Sequence, residues 1–138
     1  MGHQTVQEAM TSNPTAITPE TTVQEAARLM KSEDVGALPV VEDGRLTYVV
    51  TDRDLAIRAL AEGTSPETPV RDVASKDVAT IDPQQSLEEA ARLMAEHQVR
   101  RLPVVEEDGR LVGMLAQADV AKAGHDTLTG EVVEKISQ

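Results

Sequence analysis

Thr51, Arg53 and Asp54 stand where an apolar run, Tyr48-Val49-Val50, gives way to a polar helix start. A hydroxyl, a cation and a carboxylate within four residues are groups that can hold a phosphorylated sugar. A helix N-terminus gathers unpaired backbone N–H groups and the positive end of the helix dipole, which suits an anion. Thr51 and Arg53 would add donors to such an anion, and Asp54 would accept from ribose hydroxyls. The same residues fit a second role. Thr51-x-x-Asp54 has the hydroxyl-x-x-acid spacing of a capping box, which needs no ligand. Capping and ligand contact are compatible at one helix start, so the surrounding chain has to decide.

Composition narrows the field. The 138 residues suit one compact domain or two very small ones. Halves of about 60–65 residues would be marginal alone, so two halves sharing one core are expected. There is no cysteine, which rules out disulfides, thiolate catalysis and cysteine-based zinc sites. His3, His97 and His125 have no spacing that suggests a metal cluster. No basic segment leads into an apolar run near Met1, and no apolar run is long enough to cross a bilayer. A cytoplasmic protein is expected. The net charge of −11 repels nucleic acid and anionic membranes, so neither is an expected partner. The single aromatic residue, Tyr48, offers no platform for stacked bases. No nucleophile–base pair, P-loop or Gly-x-Gly-x-x-Gly is present, and nothing argues for an enzyme.

The chain is one unit written twice. At an offset of 64 positions, Thr22-Val23-Gln24-Glu25-Ala26-Ala27-Arg28-Leu29-Met30 lies on Ser86-Leu87-Glu88-Glu89-Ala90-Ala91-Arg92-Leu93-Met94. Leu38-Pro39-Val40-Val41-Glu42 lies on Leu102-Pro103-Val104-Val105-Glu106, and after one insertion Gly44-Arg45-Leu46 matches Gly109-Arg110-Leu111. Upstream, Val6 pairs with Val70, and Ile17-Thr18-Pro19 with Ile81-Asp82-Pro83. The periods set the elements. Each unit opens with a helical turn, Val6 to Met10 or Val70 to Ala74, and an extended piece ending at Ile17 or Ile81. A helix follows, with capping boxes Thr22/Glu25 and Ser86/Glu89. Its apolar face is Val23, Ala26, Ala27 and Met30, or Leu87, Ala90, Ala91 and Met94. A strand (Leu38 to Val41; Leu102 to Val105) turns at Asp43-Gly44 or Asp108-Gly109 into a second (Leu46 to Val50; Leu111 to Leu115). A last helix starts near Asp52 or Gln117. Pro39 and Pro103 fall at strand starts or edges. The repeats span 5–62 and 69–123, separated by a Gly/Ser/Thr/Pro-rich linker. Residues 124–138 form a tail in which Val132, Val133 and Ile136 fit a short helix.

A β-α-β-β-α unit with Leu-Pro-Val-Val before an acidic-Gly turn, present twice, resembles a tandem pair of CBS domains, the Bateman module. Short stand-alone bacterial CBS-pair proteins look most similar. The resemblance implies an α+β fold of two repeats packed into one pseudo-twofold globule. It also implies a regulatory, ligand-sensing role with no required cofactor. The family binds adenosine ligands such as AMP, ADP, ATP or S-adenosylmethionine in clefts between the two repeats. Its ribose–phosphate motif, Gly-apolar-apolar-Thr/Ser-x-x-Asp, falls on Tyr48 to Asp54, with Tyr48 in place of glycine. In the second repeat it falls on Gly113 to Asp119, where Ala116 replaces the hydroxyl.

In similar pairs the nucleotide also touches the other repeat. The main site is therefore expected to comprise Val49, Thr51, Arg53 and Asp54 with Ala79, Thr80, Ile81, Val99, Arg100 and Arg101. Val49, Ile81 and Val99 would hold the adenine. The arginines would bind phosphate, although solvated strand-edge cations would look the same in sequence. A weaker cleft would comprise Thr15, Ala16, Ile17, Val35, Gly36, Ala37, Met114 and Asp119, with no basic group. The resemblance further implies a homodimer, and the stand-alone form implies either a protein target regulated in trans or a role in holding ligand. The alternative function is a structural or protein-interaction dimer with vestigial, non-binding clefts.

Overall fold

The computed structural model describes residues 4–76 and 78–127. In chain order they form α1 (Val6–Ala9), β1 (Thr11–Ser12), α2 (Val23–Glu33), β2 (Ala37–Glu42), β3 (Arg45–Thr51) and α3 (Asp52–Asp54). A wider π-helical turn, Leu55–Leu60, prolongs α3, and a 3-10 turn covers Val70–Asp72. Then come α4 (Leu87–His97), β4 (Arg101–Val105), β5 (Leu111–Ala116) and α5 (Gln117–Thr127). The helices and strands expected from the repeat are present. The helix expected around Val132 to Ile136 lies outside the described residues.

Packing gathers these elements into two compact units that differ from the sequence repeats. The first-repeat unit holds Pro14–Val78 and Glu107–Leu111. The second-repeat unit holds the described residues 4–13, Ala79–Glu106 and 112–127. The opening segment of each repeat thus packs on the sheet of the other. Val6 is fully buried in the core with Ile81, Leu87, Ala90, Met94, Leu102, Val104 and Leu115. Val70 and Val73 are buried with Val23, Ala26, Met30, Leu38, Val40 and Val50.

Within the first-repeat unit β2 and β3 pair antiparallel, from Ala37 opposite Thr51 to Glu42 opposite Arg45. Asp43 and Gly44 both take positive φ, 51° and 80°, which makes the two-residue turn a type I′ hairpin. Ile17 bridges β2 in parallel, donating to Pro39 O at 3.0 Å and accepting from Val41 N at 2.8 Å. Pro39 sits third in β2, farther in than expected, yet it precedes the bridged residue Val40, so its missing N–H leaves no gap in that bridge. On the far side Ser75 exchanges both backbone hydrogen bonds with Val49, each 3.0 Å. The second-repeat unit repeats the scheme. Ile81 bridges Val104, β5 lies beside β4, and β1 closes the edge with Thr11 opposite Met114 and Ser12 opposite Gly113.

The helices show why the repeat reads so clearly. Thr22 and Glu25 complete a reciprocal capping box on α2. Both α2 and α4 end in a left-handed residue, Asp34 (φ 55°) and Gln98 (φ 56°). Val35 N then donates to Met30 O, and Val99 N to Met94 O, both at 3.0 Å, which is a Schellman closure. Two expectations need correction. Ser86 caps α4 by accepting from Glu89 N at 3.1 Å, but the Glu89 carboxylate turns to Arg92 instead of completing the box. A charged fork three residues on outcompetes a neutral backbone N–H. The Arg92 guanidinium holds the Glu89 carboxyl below the usual carboxylate range. Ala27 and Ala91, assigned to the apolar faces, are exposed, so the buried stripes are narrower than the pattern implied.

The edge pairing also explains where the two motifs differ. A Cβ on Gly113 would collide with Met10 Sδ and lie 2.9 Å from Thr11 O, so only glycine admits the β1 segment there. In the first-repeat unit Ala74 is the repeat counterpart of Met10, and the small and large residues are exchanged. Tyr48 and Ala74 both pack on that unit's core, and the Lys76 ammonium lies 5.8 Å from the tyrosine ring centroid. Gly113→Ala is expected to destabilise the protein by about 1–3 kcal/mol in urea unfolding. Adding Met10→Ala should restore only part of that loss, because the Thr11 carbonyl remains in the way.

Candidate functional site

The first-repeat site is built by β3 running into α3. Thr51 is extended (φ −114°, ψ 164°) and caps the helix. Its Oγ1 accepts from Asp54 N at 3.0 Å, and Asp54 Oδ2 accepts from Thr51 N at 2.9 Å. The capping-box reading is therefore realised. It leaves the Thr51 hydroxyl hydrogen free to donate and Asp54 Oδ1 free of the backbone. Asp54 is 9% exposed, the buried charged residue of the described chain. Asp52 N donates to Gly36 O at 2.9 Å, which seats the loop Val35-Gly36-Ala37 against the helix start. The Asp52 carboxylate lies so close to Gly36 that a Cβ there would sit 3.1 Å from Oδ2.

Val49 is buried at 7% exposure yet stands outside the cluster formed by Val40 and Val50. Alternation along β3 turns its side chain to the sheet face opposite those residues, the face shared with Thr51. Arg53 is exposed, and no hydrogen bond or ion pair ties its side chain to another described residue. Thr15 and Ala16 are exposed, Ile17 is buried, and Thr15 Oγ1 donates to Glu33 Oε1 at 3.3 Å. One neighbour escaped the motif reading: Arg58 Nε lies 3.9 Å from Asp54 Oδ1. Its i+4 spacing from Asp54 was the available signal.

The second-repeat unit carries the sister arrangement. Asp119 Oδ2 accepts from Ala116 N at 2.9 Å, so half of the capping box survives without the hydroxyl. Gln117 N donates to Arg100 O at 2.7 Å, the counterpart of the Asp52–Gly36 bond. Arg100 is exposed and Arg101 half-buried, and neither side chain has a hydrogen bond or ion pair to another described residue. Val99 is 38% exposed, Ile81 is buried, and Ala79, Thr80 and Met114 are half-buried. Each loop before the first strand is thus anchored to the helix start of its own repeat: Arg100 to Gln117, Gly36 to Asp52.

The CBS domain model matches residues 6–60 and 70–126, and the chain belongs to the CBS domain family. The CBS domain-containing protein YhcV of Bacillus subtilis is 47% identical over 116 residues, covering 84% of this chain and 82% of that protein. The crystal structure of CBSX2 in complex with AMP superposes with a TM-score of 0.79 at 34% identity, covering 91% of this chain and 98% of the other. The structure of Hypoxic Response Protein I with two coordinated zinc ions gives 0.79 at 38% identity over 86% and 98% of the chains. In the present protein no group of three or more His, Cys, Asp or Glu that could hold a metal occurs among the described residues.

The capping position of the two helix starts differs by a hydroxyl, Thr51 against Ala116, and stability can report on it. Thr51→Ala is expected to cost about 1 kcal/mol in denaturant unfolding, while Ala116→Thr should add about 0.5–1 kcal/mol by completing the second box.

Proposed function

We propose that this protein is a regulatory module that senses an adenosine ligand, with the Thr51–Asp54 helix start as its principal binding element. The observation that carries the reading is the buried Asp54 carboxylate held beside a capping hydroxyl that still has its proton to give. Asp54 would accept from the ribose hydroxyls. Thr51, Arg53 and the backbone N–H groups at the helix start would donate to phosphate. Val49 offers an apolar wall for the base. Ala79, Thr80, Ile81, Val99, Arg100 and Arg101 complete the proposed site by resemblance, and the unpaired guanidinium groups of Arg100 and Arg101 suit an anion. The AMP complex of a 34% identical relative supports the ligand class. The helix start at Asp119 lacks the hydroxyl and is the weaker partner. Thr15, Ala16, Ile17, Val35, Gly36, Ala37 and Met114 belong to that second proposal. The role is regulatory rather than catalytic, with a protein target acted on in trans.

Thermal unfolding with AMP, ADP, ATP and S-adenosylmethionine tests the reading. A ligand at about 100 times its dissociation constant adds about 2.7 kcal/mol, a rise of roughly 5–15 °C for a domain of this size. Asp54→Ala should remove the shift and Asp119→Ala should spare most of it. No shift with any of the four ligands would sink the sensor reading, and the reverse order of the two variants would sink the site assignment.

We infer in addition that the protein forms a homodimer through the helical face of the first-repeat unit. Val23, Ala27, Leu55, Ala56, Leu60 and Pro66 line an apolar groove of about 370 Å³ there. Leu60 is 80% exposed and Ile57 52%. Exposed aliphatic side chains clustered on one helix are characteristic of buried contact surfaces. Leu60→Asp is expected to shift the sedimentation mass from dimer to monomer, and an unchanged dimer would place the contact elsewhere.

A further inference from the structure

We propose that Arg58 is a positioning residue for Asp54, orienting the carboxylate for ribose and tying it to the opening segment of the second repeat. The inference rests on the reading of Asp54 as the ribose acceptor. A carboxylate taken out of water keeps its charge only with partners. Asp54 Oδ2 already accepts from Thr51 N. The other oxygen, Oδ1, faces Arg58, one helical turn on, with Nε at 3.9 Å. The same guanidinium donates from Nη1 to the carbonyl of Val73 at 3.5 Å.

The Arg58 side chain is 56% exposed, so its attraction for the carboxylate is screened. Its effect is geometric. At 3.9 Å the contact is an ion pair and not a hydrogen bond, so the fork, held at Nη1 by the Val73 carbonyl, biases the side to which Oδ1 turns. Val73 lies two residues before Ser75, whose backbone exchanges hydrogen bonds with Val49. Carboxylate, guanidinium, Val73 carbonyl and the Ser75–Val49 pair form one connected path inside the first-repeat unit. It starts and ends at residues proposed to touch the ligand. The second repeat lacks the device. Aligning Thr51 with Ala116 and Asp54 with Asp119 puts Ala123 in the place of Arg58, and no guanidinium stands at that turn.

The test measures equilibrium binding of AMP and of 2′,3′-dideoxyadenosine monophosphate to the full chain, for wild type, Arg58→Ala and Arg58→Lys. Wild type should prefer AMP, because only its ribose hydroxyls engage Asp54. Arg58→Ala should weaken AMP about threefold to tenfold while leaving the dideoxy nucleotide unchanged, so the discrimination collapses. Arg58→Lys should keep part of it. An Arg58→Ala variant that retains full discrimination overturns the proposal. So does one that weakens both nucleotides equally, which marks a merely structural residue. Wild-type protein that binds neither nucleotide overturns the adenosine reading and this inference together.

Discussion

The outer backbone edge of each second strand needs a hydrogen-bond partner, and the chain supplies it from the segment that opens a repeat. Val49 pairs with Ser75 and Met114 pairs with Thr11. A half-buried strand edge left unpaired would carry unsatisfied polar groups or invite pairing with another chain. Closing it this way has consequences throughout the fold. The helical turns upstream of those segments bring Val6 and Val70 into the cores. The contact between segment and strand decides which residue can open the second strand-to-helix motif, where Met10 and Thr11 leave room only for glycine.

The candidate site depends on a charge placed where charges are costly. Asp54 is held at a helix start by reciprocal bonds with Thr51, and the helix dipole favours its negative charge. Asp119 shares half of these bonds and is less buried. Duplication has given the protein two copies of one device, and Ala116 and Ala123, in place of Thr51 and Arg58, are among the differences that separate them. Below Asp54 the helix widens into the π turn Leu55–Leu60, a geometry that often accompanies functional sites.

Much of this was legible in the sequence for a physical reason. Helix and strand order follow from apolar periodicity, and the repeat let each half check the other. The Thr22 box, the Asp43-Gly44 turn and the Thr51–Asp54 spacing are local, so their chemistry shows in consecutive residues. Other features escaped because they depend on residues distant in sequence or on competition between neighbours. Nothing near Gly113 announces that Met10 crowds it. Glu89 has the spacing of a capping acid but also stands three residues from Arg92, and spacing alone cannot rank the two. Ala27 obeys the helical period yet lies at the rim of the buried stripe, where a small side chain hides no surface. Arg58 lies one helical turn beyond the last residue of the motif, outside the span whose residue types mark it.

The exchange of opening segments also sets an order of events during synthesis. Most of the first-repeat unit, Pro14–Val78, is contiguous and can assemble once the chain has passed Ser75. Val6 and Thr11 are made before that unit but must wait for Leu115 and Met114, near the end of the described chain. Pairing over such a separation is slow and carries a large loop-closure cost. Until then the apolar turn at Val6 and the unpaired β1 segment are exposed, which makes that interval the nascent chain's period of greatest exposure to misassociation.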